Sequence, residues 1–304
     1  MTANEGASIL RKATLCGLIA LQFIFALTAN GQQTSPVAAD PLATCAGKLI
    51  AYADWPKVKD PVFSLDVSGK SGGGGRLYYF GAEHSADPAH AQFAEIERAW
   101  NALKPTVAFY EGPNRPLSET KDETIKQTGE SGFVRFLAKR DGVPVASLEP
   151  LPADEAAYVM RKFSSEQVML FYVLRETARL RDRRKLPEAE LKAAVAQLLE
   201  RASKMKGFEG AFTDVAGLET AYRKYWTSPA NWWEAPQAWF APGKSSQATG
   251  GIFTNDINTL SSEYRDLHMY RSLAGATLEG KRVFAVVGRN HVPMQSPALR
   301  CAIK

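Results

Sequence analysis

Two of the four histidines in the sequence stand in the same setting. In Arg76–Pro88 (RLYYFGAEHSADP) the apolar run Leu77–Phe80 leads into Gly81-Ala82-Glu83-His84. In Arg282–His291 (RVFAVVGRNH) another leads into Gly288-Arg289-Asn290-His291. Each Gly-x-x-His follows a stretch that reads as a buried strand. A further apolar strand, Thr106–Tyr110, ends at Glu111, and Val143–Leu148 ends at Glu149. Imidazole and carboxylate together can perform general acid–base catalysis, or bind a divalent metal through nitrogen and oxygen. Arg265 adds a fixed positive charge able to hold a carboxylate or stabilise an oxyanion.

These groups act together only if the fold brings the strand ends together. In an open α/β sheet the carboxyl ends of parallel strands line one crevice, where ligands bind. The glycine of each motif is expected to turn the chain out of its strand and leave the imidazole at the mouth. After His84, Asp87 is a suitable N-cap and Pro88 a suitable first helical residue. The helix then places Phe93, Ile96, Trp100 and Leu103 on one face and stops at Lys104-Pro105. With Thr106–Tyr110 this makes a β-α-β unit, which pairs parallel strands through a right-handed crossover. Leu117–Ser131 is polar and reads as a surface insertion, and Phe133–Lys139 as a short helix.

Three helices follow: Glu155–Phe163, one around the wholly apolar and therefore central Val168–Leu174, and Glu188–Lys204. Tyr222–Phe240 holds four of the six tryptophans. It is a lid or an aromatic substrate wall, or else a loop fixed to the core by its rings. Asn255–Leu273 predicts a helix that buries Ile257, Leu260, Tyr264 and Leu267, with Arg265 and His268 on a polar face. Ser296-Pro297 is expected to cap a last short helix.

The formal charge of +5 is mild, and no basic stripe interleaved with aromatics argues for nucleic acid. Gly69-Lys70-Ser71 and Gly243-Lys244-Ser245 both lack the earlier glycine of a P-loop. There is no Gly-x-Ser-x-Gly elbow, no His-Glu-x-x-His and no Cys-x-x-Cys. Arg11-Lys12, the apolar Ala13–Ala29 and the polar GQQTSP read as a signal peptide ending at Gly31. The mature protein is then secreted or periplasmic and not membrane-bound, an uncleaved anchor being the alternative. Residues 32–47 read as a flexible leader and 48–304 as one α/β domain with a helical insertion at about 151–250. Cys45 and Cys301 would form a disulfide joining the ends of the mature chain, or remain two thiols.

The two Gly-x-x-His motifs, Glu111, the EYRDLHM segment with Arg265 and the SLEP segment around Glu149 resemble the TraB/GumN–TIKI superfamily. Erythromycin esterases and the haem-binding ChaN lipoproteins are more distant members of that group. The resemblance runs from Leu77 to the C-terminus. It implies a mixed, largely parallel central sheet with flanking helices, and a cleft holding His84, Glu111, Arg265 and His291. It also implies a metal-dependent hydrolase of peptidase type acting on a peptide or small molecule, with His84, Glu111 and His291 as ligands of Mn, Co or Zn. Alternatively, water is activated by glutamate and histidine without metal. A third alternative is a binding protein for haem or a small ligand, without turnover.

Overall fold

The computed structural model describes residues 40–69 and 74–304. The signal-peptide or anchor segment, the first part of the leader and the centre of the Ser68–Gly75 loop lie outside the described residues. The fold is α/β, as expected, with five strands among the described residues: β1 (Ser64–Ser68), β2 (Arg76–Ala82), β3 (Val107–Tyr110), β4 (Val145–Ser147) and β5 (Arg282–Gly288). Their order is β1-β2-β5-β3-β4. Only β1 is antiparallel to its neighbour. The β-α-β unit therefore differs from expectation in one respect: the C-terminal β5 lies between β2 and β3. Ala82 pairs with Gly288, and Tyr110 with both Val286 and Ser147. Four adjacent parallel strands thus end on one side of the sheet.

Both faces of the sheet are covered, which is why β2 and β5 read as nearly continuous apolar runs. Leu77, Tyr79 and Val283 pack against Met269 and Leu273 of α9 (Thr254–Leu278) and Leu299 of α10 (His291–Ile303). Phe80, Phe284 and Val286 pack against Ile96 and Trp100 of α2 (Ala91–Leu103) and Phe133 of α3 (Lys121–Asp141).

Several boundaries differ from the sequence expectation. Helix α2 starts three residues after Pro88, because Asp87 spends its side chain on the Ala89 N–H and His90 takes over as cap. The supposed polar insertion is the first half of α3, capped by Thr120. Helix α3 bends at Gly129, whose φ of 60° and ψ of −145° are not helical. On α9, Tyr264 and Leu267 are only partly buried, and Met269, Tyr270 and Leu273 form the inner face instead. Helix α10 begins at His291 and runs through Pro297, so Ser296 caps nothing; its hydroxyl donates to the Val292 carbonyl.

The segment between β4 and α9 holds α4 (Pro152–Val159), α5 (Ser165–Arg184), α6 (Glu188–Ala202), α7 (Val215–Arg223) and the short α8 (Ser246–Thr249). Val168–Leu174 lies at its centre, as the unbroken apolar run implied. Trp226, Trp232 and Trp239 are buried in the same cluster, with Trp226 stacked on Trp239 at 4.9 Å. The tryptophan-rich segment is therefore core and not a lid. Residues 40–47, expected to be flexible, form the short helix α1 (Pro41–Ala46), capped by Asp40. Cys45 of α1 is bonded to Cys301 of α10. Among the described residues no helix is long and apolar enough to cross a membrane.

Candidate active site

The strand ends converge as the sequence predicts. Glu111, just past β3, accepts a hydrogen bond from the Gly288 N–H at the end of β5, at 2.6 Å. Arg265, on α9, donates Nη2 to Glu111 at 3.1 Å. It grips Glu149, just past β4, with Nε at 2.9 Å and Nη2 at 2.7 Å. This two-bonded guanidinium–carboxylate fork is the geometry that fixes an arginine most firmly. His291, the first residue of α10, has Nε2 3.6 Å from Glu111 Oε1, an ion-pair distance beyond hydrogen-bond range.

The motif glycines do not turn the chain with unusual backbone angles. They allow close approach. A Cβ on Gly81 would lie 2.7 Å from the Arg289 Cα and 2.9 Å from the Phe63 carbonyl oxygen. One on Gly288 would lie 2.8 Å from His84 Nε2 and 3.3 Å from Glu111 Oε2. The positive φ belongs to His84 itself, at 53°. An L-residue held in this region carries strain of the kind that collects at functional sites.

Each histidine is pinned through Nδ1 by a buried carboxylate that sequence reading missed. His84 Nδ1 is 2.6 Å from Glu130 Oε1, and the Gly129 bend in α3 is what aims Glu130 there. His291 Nδ1 is 2.6 Å from Asp266 Oδ1. The same oxygen accepts from Gln295 Nε2 at 2.7 Å, and Gln295 Oε1 accepts from the Tyr79 hydroxyl at 3.2 Å. Asp266 follows Arg265 directly, so its neighbourhood was visible in the sequence. Glu130 gave no signal, lying in a run that looked like polar surface. Both pairings place a proton on Nδ1 and direct Nε2 towards Glu111.

The two imidazoles differ in environment. The His84 side chain is 66% exposed, and its bond to Glu130 raises its pKa above the ordinary value. His291 is buried. Burial alone would lower its pKa, but the Asp266 hydrogen bond and the Glu111 carboxylate push it up to about 10. Both carboxylates favour its imidazolium form at neutral pH. Burial would likewise raise Glu111, yet His291, Arg265 and the Gly288 N–H together hold it well below the usual carboxylate range. Glu83 turns away to Arg289, at 3.0 Å. His268 and His90 take no part in the cluster.

His84, Glu111 and Glu149 line a cleft of about 440 Å³. Arg265 lines a second cavity of about 680 Å³ beneath the helical segment, and Arg183 borders both. The donor types expected of a metal centre are present, and each Nδ1 is carboxylate-bound, as in metal-ligating histidines generally, but only the His84 Nε2 is open, that of His291 facing Glu111. The Glu111 oxygens already serve Arg265 and the Gly288 N–H, and among the described residues no three such side chains are disposed around one point. Comparison with known proteins adds no family: no family model, curated protein or solved structure matches the chain significantly.

Proposed function

We propose that the protein is a hydrolase of ester or amide bonds in which His84 is the general base and Arg265, with the His291 imidazolium, stabilises the oxyanion. The single observation that carries this is the pairing of one exposed, carboxylate-bound imidazole with the partly buried Arg265 and the buried His291 around Glu111. His84 Nε2 takes a proton from water as its oxygen bonds to the substrate carbonyl carbon. The C–O or C–N bond then breaks, and His84 returns the proton to the leaving oxygen or nitrogen. Arg265 has spent Nε and Nη2 on carboxylates, but its Nη1 makes no hydrogen bond to any described residue. That group is free to meet the developing negative charge. Glu111, held ionised by two cations, is too weakly basic for the role of base that the family resemblance implied. It instead keeps Arg265 and His291 charged and in place.

A test is Glu130→Gln, which keeps the shape and removes the charge. The rising limb of the kcat–pH profile should move to lower pH, because the carboxylate that raises the His84 pKa is gone. We also expect kcat to fall by roughly 10²-fold, within the usual range for general-base catalysis. An unchanged limb would remove His84 from this role.

The pinning of both Nδ1 atoms favours one second reading, the metal-dependent peptidase of the TraB/GumN–TIKI type. There His84, Glu111 and His291 would hold a Mn, Co or Zn ion that polarises the scissile carbonyl and activates water. This requires Glu111 to release Arg265 and His291 to lose its Nε2 proton.

A further inference from the structure

The cavity of about 680 Å³ is a groove along one stripe of α5. Met169, Tyr172, Glu176, Arg179 and Arg183 line it at alternating spacings of three and four residues, the repeat that keeps side chains on one helix face. From Met169 to Arg183 the stripe is about 21 Å long, at 1.5 Å per residue. Arg183 marks one end, since it also borders the His84 cleft. The connection from Arg184 to Glu188 is short, so α6 turns back along α5. It brings Leu198 and Ala202, and then Met205 and Phe208 beyond its end, to the Met169 end of the stripe. A Cβ on the neighbouring Gly207 would lie 2.6 Å from Cε of Met160, which precedes α5 and so marks that same end.

The charges of the lining answer one another. Arg179 is paired with Glu176, and Arg265 with Glu111 and Glu149. The Glu155 carboxylate, held by the Tyr172 and Ser261 hydroxyls, attracts Arg175. What the groove leaves uncovered is apolar. Leu198, Ala202 and Met205 are only partly buried, and their side chains face the cavity beside Met169, Phe208 and Phe240. The volume lies within the roughly 300–1,000 Å³ of small-molecule sites, and covering apolar surface in a concave wall is favourable. The machinery fixes which part of a substrate enters. Arg265, assigned to the oxyanion, lines the groove, whereas His84, assigned to the leaving group, lines the cleft. The acyl side therefore points into the groove.

We infer that the groove binds the acyl chain of a medium-chain ester or amide, its carbonyl beside Arg265 and its chain running along α5 to Leu198, Ala202 and Met205. The orientation rests on the hydrolase reading above; the capacity for an apolar chain does not. The test is calorimetric titration of heptyl methyl ketone, an uncleavable neutral carbonyl compound, and of acetone into the wild-type chain. The long ketone should bind at least about tenfold more tightly, as burial of about two methylenes provides. Ala202→Trp, which fills the apolar end, should bring the two affinities close together, and Leu198→Trp is a second block at the same end. Equal affinities in the wild type, absence of binding by both ketones, or a chain preference that survives both substitutions would each overturn the inference. The wild-type comparison decides even if the variants fail to fold. Hydrolysis of para-nitrophenyl octanoate and acetate is followed in parallel. Chain-selective ketone binding without hydrolysis of either ester would overturn the hydrolase reading and leave the groove standing, and hydrolysis without chain-selective binding would do the reverse.

Discussion

His84 and His291 carry the same motif and the same Nδ1 partner type, yet one is solvent-facing and the other enclosed between two carboxylates. That difference sets a pH dependence. The folded pKa of His291, about 10, lies above its ordinary value of 6.5. Its contribution to stability is therefore complete below about pH 6.5 and is lost as pH rises towards 10. Glu111, shifted the other way, contributes above its ordinary value of 4.5 and loses that contribution as pH falls. The difference in Tm between wild type and His291→Gln should accordingly narrow from pH 6.5 to pH 10. A constant difference across that interval would mean that His291 is neutral in the folded protein.

At the scale of elements, the strands and their carboxyl-terminal residues were legible because apolar runs ending in glycine or glutamate are local signals. The order of the strands was not, since β5 enters between β2 and β3 from the far end of the chain. Nor was Glu130, because nothing local announces that α3 bends at Gly129 and delivers a carboxylate to His84, 46 residues earlier. The glycines were recognised for the wrong reason, as turn formers instead of points of contact. Their contacts predict opposite outcomes for one substitution. Gly81→Ala meets backbone on both sides and should cost about 1–3 kcal/mol of stability, the usual range for overpacking, readable by denaturant titration. Gly288→Ala meets the tip of the His84 ring, which can move. It should leave Tm nearly unchanged while lowering kcat at least tenfold, because the base is displaced. If both variants lose stability equally, the Gly288 contact is structural only.

At the scale of the whole molecule, the sheet positions the histidines and carboxylates of the candidate site and the helical segment builds the cavity beside them. The two meet at Arg265, which faces the cavity from α9 and fixes the carboxylates of β3 and β4. The disulfide between Cys45 and Cys301 ties α1 to α10 across 256 residues of sequence. Cys45→Ser or Cys301→Ser should lower stability by about 2–5 kcal/mol, measured by urea unfolding with and without reductant. The sequence made this pairing arguable from cysteine number alone. It could not show that Pro41–Ala46 is a helix, because Asp40 capping and the bond to α10 order a segment whose composition reads as flexible.

The most direct measurement is turnover of chromogenic esters and peptide amides by chelator-treated protein, comparing wild type with His84→Ala. A metal-free hydrolase with His84 as base should turn over after chelation, and His84→Ala should be slower by about 10²–10⁴-fold. Equal rates in the two proteins would contradict the role of His84, and turnover only on restoring Mn²⁺, Co²⁺ or Zn²⁺ would replace this mechanism with the metal-dependent one.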